Sequence, residues 1–382
     1  MHDYTSGDTL RVAKRFQNLK RPYLLVNPLQ AKHIPVQPSA ALHMMGALGD
    51  LLARKYPRTK LVIGFAETAT AIGAVVAGRL ARDCVYVHTT REDFPAAAHW
   101  IEFLEEHSHA VEQKLCGDGM PGWLSGTESV ILVDDEISTG KTLINMVREL
   151  KEHYPALSEK KIIAASILNR VSPENEARME QAGIRSEYLV KLPQEDYVSR
   201  VEKIEIQEAD GVSPGTLSFY HAELPCGSLK DPRLGVPVGE YERSCAEMAE
   251  TFAARMMCGM ESKSRILVLG TEECMYPALV LGAALEKMGK EYQVRCHATT
   301  RSPIGICAEA GYPIVSGSRI PSFYTKDRIT YIYDVDAYDV MIVVSDTPVK
   351  GTEALCSLMA AFPLREDARV FYVQGGQDVW YL

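Results

Sequence analysis

A chain of 382 residues with 46% hydrophobic and 24% charged residues is long enough for two domains that each bury a core, which makes a single-domain reading the weaker one. A net charge of -9 and a pI near 5.7 argue against a nucleic-acid partner held by phosphate neutralisation, though local loops could still take a small anion. The N-terminal "MHDYTSGDTLRVAKRFQNLK" lacks an apolar signal core, and no window approaches the ~18 apolar residues of a membrane span, so a cytoplasmic protein without membrane contact is expected.

In chain order, "RPYLLVNPLQAKHIPVQPSAALHMMGALGDLLARKYP" comes first, as a flanking piece before the core strands. "KLVIGFA" (Lys60 to Ala66), "CVYVH" (Cys84 to His88), "SVILVDD" (Ser129 to Asp135) and "KIIAASILN" (Lys161 to Asn169) then read as strands. "TATAIGAVVAGRLARD" and "TGKTLINMVRELKEHYP" between them read as helices, the second stopped by Pro155. From about Gln207 to Tyr241 the chain is dense in Gly and Pro, with one short β-like piece, and reads as an inter-domain connection. Alternation resumes with "RILVLG", "TEECMYPALVLGAALEKMG", "YQVRCHA", "YDVMIVVSD" and "GTEALCSLMAAF". The pattern is that of an α/β protein with mainly parallel sheets, divided near residue 225 into domains 1–224 and 225–382. The cysteines at 84, 116, 226, 245, 258, 274, 296, 307 and 356 form no CxxC pair, so reduced and mostly buried thiols are expected.

The stretch "VILVDDEISTGKTL" (Val130 to Leu143) ends like a triphosphate loop, but Asp135 stands where that loop needs its first glycine. Read from the acids forward, it suits a sugar phosphate. Ribose hydroxyls can donate to Asp134 and Asp135, while Ser138, Thr139, Gly140, Lys141 and Thr142 at a helix start receive a 5′-phosphate. An N-capped helix after a strand with solvated acids is the plain alternative. A second loop of small residues, Gly64, Glu67, Thr68, Ala69 and Thr70 in "VIGFAETATAIG", either wraps an anion with backbone amides or serves close strand–helix packing.

The acid-and-hydroxyl stretch resembles the phosphoribosyl-pyrophosphate (PRPP) loop of the type I phosphoribosyltransferases, and the N-terminal half of the chain is similar to orotate phosphoribosyltransferases. That resemblance implies a type I parallel-sheet domain in which the Gly64-to-Thr70 loop holds pyrophosphate. It also implies a hood and a mobile loop that excludes water, the latter within "HTTREDFPAAAHWIEFLEEHSHAVEQKLCGDGMPGW". Arg91 is the expected cation at the departing pyrophosphate, with Lys114 as substitute. Glu105, Glu106, His107 and His109 either bind a metal or do acid–base work, or are a solvated face. Arg170 is placed near the ring being modified. His33 and Pro35 either face the base from the hood or belong to an edge strand with turn prolines.

The implied reaction is attack of a base nitrogen on ribose C1 with loss of pyrophosphate, through a transition state of oxocarbenium character. Mg²⁺ is carried by PRPP near Asp134 and Asp135, with no direct protein metal site. No covalent nucleophile is needed.

The second half repeats pieces of the first. Thr89-Thr90-Arg91 recurs as Thr299-Thr300-Arg301, Gly64 with Glu67 recurs as Gly270 with Glu273, and Ser345-Asp346 stands opposite the acid pair. A diverged copy of the first domain is one reading, convergence of ordinary strand–loop–helix units the other. The combination resembles phosphoribosyltransferases with a C-terminal TRSP domain, associated with tellurium-resistance and stress-response clusters. The resemblance implies synthesis of a nucleoside-like metabolite from PRPP and a small-molecule base, and admits a homodimer. A non-catalytic PRPP or nucleotide sensor and a base-cleaving hydrolase remain alternatives. In the second half Thr300, Arg301 and Ser302 are the ligand candidates, for a phosphate or carboxylate, against a turn whose Arg is salt-bridged.

Overall fold

The computed structural model describes residues 4–18, 20–93, 96–104, 111–213, 215–289, 291–348, 351–362 and 367–382. The chain folds as two compact units that are not simple halves. The first comprises the chain up to Ser6, His43–Gln194 and Lys230–Arg243, and the second Gly7–Leu42, Glu195–Leu229 and Ser244–Leu382. The Gly- and Pro-rich connection is thus shared out between them. Its Tyr220–Glu223 is an edge strand of the second sheet, and its Val236–Pro237 an edge strand of the first.

The first unit is built on a six-stranded sheet in the order Val236–Pro237, Val85–His88, Leu61–Gly64, Ser129–Ile137, Lys161–Asn169, Ile184–Lys191. All neighbours are parallel except the short edge strand Val236–Pro237, which runs antiparallel to Val85–His88. Central strands buried on both faces explain the unbroken apolar runs: Leu61–Gly64 is wholly buried, as are the first five residues of Ser129–Ile137. The helix Thr70–Leu80 is buried from Thr70 through Ala77, whereas Lys141–His153 buries only Leu143, Met146, Val147 and Leu150, the i, i+3, i+4, i+7 stripe of a surface helix.

The second unit has a six-stranded sheet in the order Tyr220–Glu223, Asp378–Tyr381, Arg369–Gln374, Val340–Ser345, Arg265–Gly270, Gln293–Ala298. The last four of these are parallel, and the first two are added at one edge, each antiparallel to its neighbour. Numbered among the mutually parallel strands of each sheet, the first four run second, first, third, fourth in both, the order a diverged copy requires. The helix expected to begin at Thr271 starts instead at Tyr276, with Pro277 in its first turn, because Thr271–Met275 forms a loop of the same kind as the one after Leu61–Gly64.

The N-terminal segment completes the second unit. Strands Arg11–Lys14 and Tyr23–Val26 pair antiparallel, and Ala13, Leu24 and Val26 pack in one cluster with Ala209, Ile304, Ile314 and Tyr333. Lys32 is fully buried and donates to the carbonyl oxygens of Glu272 and Thr299, at 2.8 Å each. His33, proposed above for a hood, is also interior to this unit.

His297 is buried nearby, with Nε2 2.7 Å from the Tyr333 carbonyl oxygen. Burial, aided by the charge of Lys32, lowers its pKa to about 4. A base with a depressed folded-state pKa loses stability as pH falls from its unfolded value near 6.5 towards the folded one. Urea unfolding should therefore show a loss of about 2 kcal/mol between pH 7 and 5 that is missing in His297→Gln. An unchanged pH dependence in that variant would contradict this assignment.

None of the nine cysteines is in a disulfide. Only Cys258 is exposed and Cys226 is half-buried, which agrees with reduced interior thiols. No helix among the described residues is long and apolar enough to cross a membrane.

Candidate functional site

At the C-terminal ends of the first unit's strands two loops meet, as expected for a ligand site in an open parallel sheet. Asp134 and Asp135 lie near the end of Ser129–Ile137 and are half-buried. The Asp134 carboxylate accepts the Asp135 amide at 2.9 Å, and burial together with the neighbouring Asp135 charge raises the Asp134 pKa well above the usual carboxylate range. The two loops are tied directly, because Thr68 Oγ1 donates to Asp135 Oδ1 at 2.8 Å.

Ser138 and Thr139 follow, and Gly140 sits at φ 72°, ahead of a helix whose first amide, that of Lys141, donates to Thr139 Oγ1 at 3.4 Å. Thr139, Lys141 and Thr142 are exposed at the helix start. Gly140 is required twice: its φ is left-handed, and a Cβ there would lie 2.3 Å from Met179 Sδ. Gly140→Ala is expected to cost about 2–4 kcal/mol in urea unfolding, from backbone strain plus overpacking. In a Met179→Ala background the cost should shrink to the backbone part, and equal costs in both backgrounds would rule out the clash.

The loop Gly64 to Thr70 is buried throughout except at Thr68, which is half-buried. The Phe65 amide donates to the Val133 carbonyl at 3.0 Å and the Ala66 amide to Thr89 Oγ1 at 2.9 Å, while the Ala66–Glu67 peptide is cis. Thr70 Oγ1 donates to the Glu67 carbonyl at 3.3 Å, and the Tyr86 hydroxyl to the Thr70 carbonyl at 2.5 Å. A Cβ at Gly64 would meet that Tyr86 hydroxyl at 2.9 Å, so the small residue there serves packing as well as the loop.

Arg91 is exposed just beyond Val85–His88. Lys114 is engaged elsewhere: its Nζ is 3.1 Å from Asp93 and 5.1 Å from the centre of the Trp100 ring. Lys114 belongs to an antiparallel hairpin, Trp100–Leu104 with Val111–Cys116, inside the interval expected to hold a mobile loop. Glu105, Glu106, His107 and His109 lie outside the described residues. Arg170 Nε is 2.8 Å from Glu136 Oε1, so that guanidinium already has a carboxylate. No group of three or more His, Cys, Asp or Glu among the described residues could hold a metal ion.

The second unit reproduces the loop bonds position by position. Thr271 N donates to Val344 O as Phe65 N does to Val133 O, and Glu272 N to Thr299 Oγ1 as Ala66 N does to Thr89 Oγ1. Thr300 N donates to Tyr331 O, the counterpart of Thr90 N to Lys114 O. The repeated Thr-Thr pair is therefore structural in both units: the first hydroxyl holds the loop, and the second accepts the amide two residues on, at 3.0 Å from Glu92 and 3.2 Å from Ser302. Thr89 and Thr299 were missed as site residues, although the repeat itself marked them.

What differs is the filling. Glu272, fully buried where the first unit has Ala66, takes Arg301 Nε at 3.0 Å, an Arg328 nitrogen at 3.2 Å and the Ser322 hydroxyl at 2.6 Å. The Tyr324 hydroxyl donates to Asp346 Oδ1 at 2.6 Å, where Asp346 is the counterpart of Asp135. Ser322, Tyr324 and Arg328 all come from the turn of the hairpin Gly317–Pro321 with Ile329–Tyr333. So the salt-bridged alternative for Arg301 is what the structure contains, and the second unit answers its own arginines and its own aspartate.

A family model described as phosphoribosyl transferase matches residues 9–193, and one described as the TRSP domain C-terminal to it matches residues 231–362. Among solved structures, the chain is similar to an APRTase from Giardia lamblia complexed with 9-deazaadenine, at 16% identity, covering 48% of this chain and 94% of that one, with a TM-score of 0.33. An orotate phosphoribosyltransferase from Aeropyrum pernix matches at 18% identity, 51% and 93% coverage and a TM-score of 0.31. No curated protein matches the chain.

Proposed function

The chain is a phosphoribosyl transferase, a pentosyltransferase, carrying a C-terminal TRSP domain, and from that premise we propose that it moves ribose 5-phosphate from PRPP to a small-molecule base at the loops of its first unit. The observation that carries the site is the Thr68–Asp135 hydrogen bond, which joins the acid strand to the loop after Leu61–Gly64 and so brings two separate motifs together.

In this reading Asp134 and Asp135 accept the ribose hydroxyls, which holds C1 in line with the incoming nitrogen. Ser138 to Thr142 receive the 5′-phosphate at the start of Lys141–His153, where backbone amides and the helix dipole favour an anion. Gly64, Glu67, Thr68, Ala69 and Thr70 surround the pyrophosphate, and Arg91 offers it positive charge. The base nitrogen forms its bond to C1 as the C1–oxygen bond to pyrophosphate breaks, and the electron pair departs with pyrophosphate. Asp134 and Asp135, adjacent carboxylates at the end of Ser129–Ile137, are the oxygen donors that would suit a hard cation carried in with the substrate. Mg²⁺ bound this way would neutralise leaving-group charge. We further propose a cytoplasmic enzyme of nucleotide metabolism whose product serves a stress response such as tellurium resistance.

Calorimetric titration with PRPP and Mg²⁺ tests the site. Because the raised pKa of Asp134 leaves it partly protonated above the ordinary carboxylate range, and hydroxyl donation requires its ionised form, binding should release protons. The measured heat should then vary with buffer ionisation enthalpy, and affinity should weaken as pH falls through that raised pKa. Asp134→Asn should abolish the proton release. Absence of PRPP binding at any pH would end the proposal.

A further inference from the structure

We propose that the second unit holds a separate site for a small anion with an apolar ring, in the cavity between the hairpin turn and the helix Thr352–Ala361. The cavity measures about 620 Å³, a size ordinary for small-molecule sites. Its apolar wall includes Ile320, Phe323, Ile329 and Ala354, and its cations are Lys326, Arg328, which is paired to Glu272 at 3.2 Å, and Arg319, which is paired to Glu208 at 2.7 Å.

Its position gives it meaning. Asp346 and Gly351 are separated by the same number of residues as Asp135 and Gly140, and Gly351, like Gly140, immediately precedes its helix. The space therefore lies where the first unit would seat a ribose phosphate. PRPP itself is a poor fit: the Tyr324 hydroxyl occupies Asp346, the Glu272 carboxylate occupies Arg301, and Asp327 and Glu353 in the lining repel a polyanion. What the site retains is smaller and more apolar. Arg328 spans both features, since it bonds Glu272, lines the cavity and keeps its side chain 22% exposed. Glu272 and the Ser322 hydroxyl fix this guanidinium in the cavity lining, where a fork of five donors can add a second oxyanion to the one it already holds. Thr300 and Ser302 act here as the turn that holds Arg301.

The test uses the full chain with saturating PRPP and Mg²⁺, titrated with phenyl phosphate, benzoate or inorganic phosphate. Phenyl phosphate or benzoate should bind one per chain, the better of the two naming the anion, and inorganic phosphate about tenfold more weakly for want of a ring. Lys326→Glu, a change at an exposed residue, and Arg328→Gln should each weaken binding about fivefold or more, and Lys326→Glu should leave PRPP affinity unchanged. No binding of either aromatic anion below about 10 mM, binding that PRPP displaces, or binding indifferent to both variants would overturn the proposal. The same titration without PRPP gives the same answer whether or not the first unit is a transferase, so the two readings fail separately.

Discussion

Replacing Asp134 and Asp135 together by Asn is expected to lower kcat/KM for PRPP by about 10²–10⁴-fold. Each hydrogen bond to a charged acceptor contributes roughly 1.5–3 kcal/mol, and the double change removes the charge from both. The sterically close amides preserve the strand end, so the loss should appear with little change in stability. Glu136→Gln is the control: its carboxylate serves Arg170 rather than ribose, and PRPP kinetics should change by less than about tenfold. Equal losses in the control and the double variant would mean that the acids act through folding rather than through substrate.

The largest stability effect is expected at Glu272. Glu272→Ala leaves two arginines and the Ser322 hydroxyl around a buried space without their carboxylate, and breaking a buried ion pair from one side costs about 3–5 kcal/mol. Glu272→Gln keeps the shape and the Ser322 contact while removing the charge, and should cost less. Urea unfolding distinguishes these outcomes. A Glu272→Ala protein as stable as the parent would show that the arginine pair is satisfied without it, and would remove the basis for calling the second unit self-filled.

Much of the first sheet was legible in the sequence because its central strands are buried on both faces and so read as apolar runs. Ile184–Lys191 was not, because only its end positions Ile184 and Val190 are buried and its remaining residues give no clear period. Helix starts were read too early at Thr68 and Thr271, since loops of small or hydroxylated residues share composition with a first turn. The repeat Thr89-Thr90-Arg91 and Thr299-Thr300-Arg301 pointed to a common topology, and the shared strand order follows it. The pairing of Arg301 with Glu272, the reach of Tyr324 to Asp346 and the burial of Lys32 were not legible. Each joins residues far apart in the chain, and sequence spacing carries no information on such contacts. For the same reason the flanking piece with His33 and Pro35 read as a hood or an edge strand of the first domain, when its strand Tyr23–Val26 and Lys32 belong to the second unit.

Sugar-phosphate chemistry at the acid loop is tested most directly by following pyrophosphate when the full chain is mixed with PRPP, Mg²⁺ and a panel of purine and pyrimidine bases. The result expected is release that depends on one class of base and falls with the Asp134 and Asp135 double variant. PRPP bound without pyrophosphate release in the presence of any base would contradict it and leave a binding protein in place of a transferase.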